Sequence, residues 1–313
     1  MTPIHELALA KINLTLEVAG RRADGYHQVA SLVAFASAGD GVTFMPGAAS
    51  EVAVSGPFAG GLSGANILAR ALALIAERAP QLRLGSVGLD KRLPVAAGIG
   101  GGSSDAAALL RAVRRANGAL ADKVDWHDLA ALLGADVPVC LAGRPSLVTG
   151  FGEEVHEIDG GLPPLQAVLV NPMVPVPADK TARVFRVLGA GAVAAEYAAP
   201  SQPSFADRDA LLAFMRAAGN DLACAAETVV PETGAVLAAI GALASCEHAA
   251  VSGAGPTCFG IFADATAADL AREAIAEKHP GWWVVAVSLG DDPVPVLTGR
   301  GNSASARGRC RSR

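Results

Sequence analysis

Between Leu93 and Ala106 the chain reads PVAAGIGGGSSD, with Gly98, Gly100, Gly101 and Gly102 crowded before an alanine- and leucine-rich segment that stops at Asn117 and Gly118. No strand or helix interior tolerates so many glycines, because each loses more conformational freedom on folding than any other residue. The run is therefore a loop, and it forces an order on its surroundings: a strand from Ser86 to Leu93 closed by Pro94, then the glycines, then a helix. Glycine backbone can turn successive N–H groups inward on an anion, and the helix start adds unpaired donors and the positive end of its dipole. These residues alone leave two readings open, an anion cradle or a tight turn packed on a neighbouring helix.

Several familiar phosphate-binding patterns fail here. A P-loop requires Lys and then Ser or Thr after its second glycine, whereas Gly102 leads into Ser103, Ser104 and Asp105 with no lysine. The dinucleotide fingerprint wants a third glycine where Ser103 stands, and no clear βαβ unit surrounds the loop. The lysine, HRD and DFG signatures of protein kinases are absent.

Elsewhere Ile12, Leu14, Leu16 and Val18 alternate with Lys11, Asn13, Thr15 and Glu17, which predicts one strand from Ala10 to Val18 with Lys11 and Asn13 on a shared face. The turn dipeptide Asp24-Gly25 and a second strand from Gln28 to Phe35 complete a hairpin. Asn66 is placed to cap a helix from Ile67 to Arg78. A further helix, Trp126 to Leu133, ends at Gly134; Val137, standing before Pro138, is expected to be non-helical, which puts Asp136 at a helix-to-loop junction. The Gly- and Pro-rich passage from Asp159 to Pro164 is the best internal boundary, giving domains of residues 1–160 and 161–299 and a basic tail, 300–313. Beyond it the pattern gives a strand at Gln166 to Val170 and helices near Ala182 to Leu188, Asp209 to Ala218 and Thr233 to Ala244. A strand at Ala249 to Ser252, a glycine turn, a strand at Thr257 to Phe262, a helix at Ala265 to Lys278 and a strand at Trp283 to Leu289 follow. Helices packed on one face of a small antiparallel sheet, an α+β arrangement, fit that order.

Composition excludes whole classes. With 51% hydrophobic against 18% charged residues, the 313-residue chain is not disordered overall. No run approaches the roughly 18 apolar residues of a membrane span, and the start, MTPIHELALAKINL, carries no export pattern, so the cytoplasm is the expected compartment. Five scattered cysteines without a CxxC pair argue against a disulfide framework or structural zinc, and most are expected to be buried. Arg300, Arg307, Arg309, Arg311 and Arg313 lie in the tail, so the rest of the chain is more acidic than the net charge of -5 and no nucleic-acid partner is expected. The tail itself is read as disordered.

The segment PVAAGIGGGSS closely resembles the phosphate-binding motif of the GHMP small-molecule kinases. Three stretches, AKINLTLEVAGRRADGYH (residues 10–27), LDKRLPVAAGIGGGSSDAA (89–107) and GADVPVCL (134–141), are similar to one member family, the 4-diphosphocytidyl-2-C-methyl-D-erythritol kinases; SGAGPTCFGIF (252–262) resembles the superfamily's carboxy-terminal glycine motif. Ala96 and Ala97 stand where members often carry glycine. The resemblance implies a two-domain α+β fold, a ribosomal protein S5 domain 2-like amino-terminal domain and a ferredoxin-like carboxy-terminal domain. It also implies phosphorylation of the 2-hydroxyl of a cytidyl-erythritol substrate in isoprenoid synthesis, with ATP and Mg2+ as cofactors.

Residue by residue, Asp136 matches the base and Lys11 the lysine beside it. Pro94, Val95, Ala96, Ala97, Gly98, Ile99, Gly100, Gly101, Gly102, Ser103, Ser104 and Asn66 match the ATP site; either Ser103 or Ser104 could cap the helix or ligate the metal, with Ser104 taken as the metal ligand. Asn13, Tyr26, His27 and Phe185 match the substrate site, the last as an aromatic opposing Tyr26 and His27 across the cytosine. Asp105 is expected to point away from the nucleotide or toward the metal and to stabilise its helix. A small-molecule partner, no membrane, and a monomer or homodimer are expected. Other small-molecule kinases of the mevalonate, phosphomevalonate or homoserine type, and a non-catalytic nucleotide-binding regulator, remain alternatives.

Overall fold

The computed structural model describes residues 2–47, 50–62 and 66–290. The tail 300–313 lies outside them. Eleven strands form one hydrogen-bonded network: β1 (Ile4–Asn13), β2 (Glu17–Arg21), β3 (His27–Pro46), β4 (Val52–Ser55), β5 (Gly85–Asp90), β6 (Ser146–Thr149), β7 (Glu154–Glu157), β8 (Leu165–Asn171), β9 (His248–Val251), β10 (Cys258–Phe262) and β11 (Trp283–Gly290). Nine helices among the described residues pack on it: α1 (Ile67–Arg78), α2 (Gly101–Asn117), α3 (Trp126–Leu133), α4 (Val137–Ala142), α5 (Lys180–Leu188), α6 (Arg208–Ala218), α7 (Ala223–Val229), α8 (Glu232–Gly241) and α9 (Ala265–Lys278).

The spine is β3, twenty residues long, which pairs antiparallel with β1, β2, β5, β6 and β11. After Pro164 the strands run β9-β10-β8-β11, all antiparallel, with α5 to α8 between β8 and β9 and α9 between β10 and β11. That is the ferredoxin-like order. At its edge β11 reaches β3 through Leu289–Ala36 and Gly290–Phe35, so the sheet continues from one half of the chain to the other. A buried layer joins the halves as well: Ile12 and Leu32 pack in one cluster with Leu165, Leu169 and Phe259. Burying each such side chain contributes roughly 1.5–3 kcal/mol.

Three expectations need correction. The strand read from Ala10 to Val18 breaks after Asn13, because Leu14 and Thr15 both donate to the Leu32 carbonyl, and pairing with β3 resumes only at Glu17, as β2. Leu16 instead exchanges backbone bonds with Gly219 and Asp221, which alternation along the chain cannot reveal. Val137 is helical: it opens α4 with Pro138 in the first turn, where proline's missing N–H would have had no intrahelical partner anyway. Helix α7 was not foreseen, since ACAAETV carries almost no periodicity. Of the cysteines, Cys140 and Cys258 are buried but Cys224 is exposed. No helix among the described residues is long and apolar enough to cross a membrane.

Candidate active site

Strand β1 delivers Lys11 to the glycine loop, its backbone N–H donating to the Ile99 carbonyl at 2.9 Å. The ammonium, 5% exposed, donates to Asn13 Oδ1 at 3.0 Å and to Asp136 Oδ1 at 3.1 Å. The period of two that put Lys11 and Asn13 on one face therefore holds. Asn13 is itself pinned, its amide donating to Ser31 Oγ at 2.7 Å. Asp136 comes from the junction of α3 and α4, and its side chain is 46% exposed. A dry, fixed cation thus holds a carboxylate that stays open to a cavity of about 350 Å³, lined also by Gly98, Gly100, Ser103 and Phe151.

The loop's glycines are required by close approach. Gly98 and Gly100 have φ of 80° and 64°; a Cβ on the first would meet the Gly255 carbonyl at 2.3 Å, and on the second the Lys11 side chain at 3.0 Å. Helix α2 makes its first bond from Ser104 N to Gly100 O, so the N–H groups of Gly101, Gly102 and Ser103 have no intrahelical acceptor. Pro94, Ala97 and Ile99 are buried supports, while Val95 is exposed and Ala96 takes a left-handed φ of 56°. Asn66 caps α1 by accepting from Leu68 N at 2.9 Å, and Ile67 beside it faces Gly102. Ser104 does not suit a metal. Its hydroxyl donates to the Leu9 carbonyl at 2.7 Å and is buried against Cys140, because a helix that starts at Gly101 turns its fourth residue inward. Ser103 is the serine that lines the cavity.

Behind the loop lies a cluster that the sequence reading missed. Lys91, fully buried, donates to Asp40 at 2.5 Å and to Asp105 at 2.7 Å, and Asp40 also accepts from the backbone of Arg92 and Leu93. Burial works against the Lys91 charge, but Asp105 and Asp40 together raise its pKa. Burial, helped by the Asp40 charge, pushes Asp105 up to about 8 against the pull of Lys91. Asp105 thus points away from the cavity, as expected, but as a buried partner of Lys91. An acidic residue inside the apolar run of β3 was the available signal for Asp40.

An adjoining cavity of about 650 Å³ is lined by Tyr26, His27, Phe151 and Phe185, with Arg21 and Arg186 at its wall. Phe185 does not face His27 across a gap; the rings stack directly, centroids 4.5 Å apart. Tyr26 instead meets Phe151, 4.9 Å away, on which Arg22 also sits. Burial, then the charge of Arg21, lowers the pKa of His27 and favours the neutral ring. Phe151 was also missed. The cavity around Asp136 and this aromatic one share Val29, Phe151, Thr181 and Phe185 and so form one groove.

Models of the GHMP kinase amino-terminal and carboxy-terminal domains match residues 66–144 and 204–281. A 4-diphosphocytidyl-2-C-methyl-D-erythritol kinase of Methylobacterium radiotolerans is 49% identical over 294 residues, 92% of this chain and 100% of the relative. One from Rhodopseudomonas palustris is 45% identical, covering 91% and 97%. The chain belongs to the 4-diphosphocytidyl-2-C-methyl-D-erythritol kinase family. A solved member of that family superposes with a TM-score of 0.72 at 34% identity, covering 92% of this chain and all of the other. A homoserine kinase from Cytophaga hutchinsonii, 17% identical with a TM-score of 0.64, shares the fold. The GHMP kinase fold expected from the four motifs is therefore the fold of this family member.

Proposed function

We propose that this chain transfers a phosphoryl group from ATP to the 2-hydroxyl of 4-diphosphocytidyl-2-C-methyl-D-erythritol. The observation that carries the reading is the groove: an open carboxylate beside a glycine cradle at one end, an aromatic wall at the other. A substrate with a pyrimidine and a distant alcohol would span it. In this reading Asp136 accepts the hydroxyl proton as the oxygen attacks, and Lys11, 3.1 Å away, orients the carboxylate. The N–H groups of Gly101, Gly102 and Ser103 and the positive end of α2 receive phosphate charge. ATP supplies the transferred group when bound. Tyr26, His27, Phe151 and Phe185 hold the base by stacking and edge contacts.

Magnesium is the expected counter-ion of the nucleotide; Ser104 is turned away from it, no three His, Cys, Asp or Glu side chains among the described residues form a cluster for an ion, and Ser103 and Asp136 are the oxygen-bearing side chains of the cavity that could meet one held by phosphates. No step is derived through it. The proposed domain division stays between residues 160 and 161, where glycines and prolines link β7 to β8.

An ADP-release assay tests the whole reading. The cytidyl substrate should support turnover, while mevalonate, phosphomevalonate, homoserine and bare methylerythritol phosphate should not. Equal rates with bare methylerythritol phosphate would mean that the pyrimidine is not read.

A further inference from the structure

Three lysines are buried among the described residues, and two of them, Lys11 and Lys91, touch aspartates. The third, Lys180, is 5% exposed at the start of α5 and donates only to backbone carbonyls: to Ala96 at 3.3 Å and, more closely, to Gly255. Ala96 belongs to the phosphate loop and Gly255 to the second glycine loop. These two loops already touch, since Thr257 N donates to Ala97 O, Ser252 Oγ to Gly98 O, and the Gly255 carbonyl fills the space where a Gly98 side chain would stand. Lys180 adds hydrogen bonds from a charged donor across that junction.

Charge makes the position meaningful. The glycine loop contains no lysine, Lys11 is committed to Asp136, and in the cluster behind Gly101 the Lys91 ammonium is balanced by Asp40 with Asp105 protonated, so none of these offers net positive charge. That background does not favour a triphosphate. Resting on the kinase reading above, we propose that Lys180 is a positioning residue for the nucleotide, tying the phosphate loop to the second glycine loop through the Ala96 and Gly255 carbonyls and supplying the uncommitted positive charge that the cradle lacks. Its bond to the Ala96 carbonyl also explains how an alanine is held at a left-handed φ that disfavours a Cβ.

The groups around it leave the charge uncompensated. Asp179, next in the chain, is taken by Arg183 at 2.7 Å. On the facing helix α7, Glu227 lies against Gly234, and Cys224 is exposed. Neither glycine loop carries a titratable side chain, and Lys11 and Asp136, which line the cavity, pair with each other. Burial alone lowers the pKa of Lys180 to about 8. A lysine with a lowered pKa is charged below that value, so nucleotide affinity should fall as pH rises through it.

The test is calorimetric binding of ATP to the full chain from pH 6.5 to 9.5, beside melting temperature and turnover. Wild type should lose affinity above about pH 8. Lys180→Met should bind roughly tenfold more weakly at neutral pH and lose that pH step, as expected for one charge acting at an effective dielectric near 20. Lys180→Arg should keep affinity and lose the step. Adding Ala96→Gly to Lys180→Met should recover melting temperature but not affinity. Unchanged ATP affinity in Lys180→Met, or a pH step that persists in it, would overturn the proposal. Should Lys180→Met fail to fold, absence of the step in wild type, or its persistence in Lys180→Arg, would do the same. Wild type that binds ATP but does not turn over the cytidyl substrate would sink the kinase reading and leave the role of Lys180 in binding intact.

Discussion

Two lysine–aspartate arrangements flank the start of α2, and they differ in what they leave unfinished. Behind the glycine loop, Lys91 sits between Asp40 and Asp105, every member within 2% of full burial. In front of it, Lys11 is nearly as dry but its partner Asp136 is nearly half exposed and opens on the groove. A charge cluster closed to solvent can only hold structure together. An ion pair with one member exposed can exchange a proton with whatever enters. Similar residue types a short distance apart therefore serve opposite ends, and substitution should separate them: the front pair should fail in turnover, the back cluster in stability.

The largest effect belongs to the front. Asp136→Asn keeps the shape of the side chain and can still meet Lys11, but it cannot accept a proton. Turnover at saturating substrates should drop by roughly 10²–10⁴-fold, the usual range for a lost general base, with melting temperature and ATP affinity little changed. Near wild-type turnover would remove Asp136 from the chemistry and blur the contrast with the back cluster.

Lys91→Met reverses the pattern. It leaves the buried Asp40 carboxylate, beside Asp105, without its cation, and breaking a buried pair by removing one partner costs about 3–5 kcal/mol. Urea unfolding should register that loss, while the fraction still folded keeps its turnover per molecule. A variant as stable as wild type but inactive would move Lys91 to the front of the loop.

Specificity sharpens the comparison from the far end of the groove. Phe151→Ala, like Tyr26→Ala, should lower kcat/KM for the cytidyl substrate about tenfold, since stacking a base on one aromatic is worth roughly 1–3 kcal/mol. ATP affinity should not move. If both variants act on ATP instead, the groove runs the other way.

Most of the front was legible in the sequence. Lys11 and Asn13 fell on one face by strand alternation, Asn66 as a cap by its place before a periodic run, and the glycine loop by its composition alone. The back was not, because Asp40 lies on β3, Lys91 just past the end of β5 and Asp105 on α2, and they meet only when those three elements pack. Lys180 and Phe151 escaped for a related reason: a lysine before a helix and a phenylalanine beside glycines look like surface and turn until another loop covers them. The break after Asn13 was hidden likewise, since within it Leu16 turns from β3 to a partner at Gly219, more than two hundred residues away.

The smallest expected effect probes the proton count of the back cluster. Asp105 has its pKa raised from 3.8 to about 8, so between those values the folded chain holds a proton that the unfolded chain has lost. Stability from this group must then fall as pH rises through that window, because the unfolded state binds fewer protons than the folded one. Asp105→Asn replaces the protonated acid with a neutral group of the same shape and removes the titration. The variant should lose less stability than wild type between pH 5 and pH 8, with only a modest change at pH 5. Its neutral amide still faces Lys91, while Asp40 remains the one full negative partner. Parallel pH profiles in the two proteins, with the variant weaker at every pH, would mean that Asp105 is ionised throughout. The back cluster would then be two full ion pairs, held more strongly than the single proton-sharing arrangement described here.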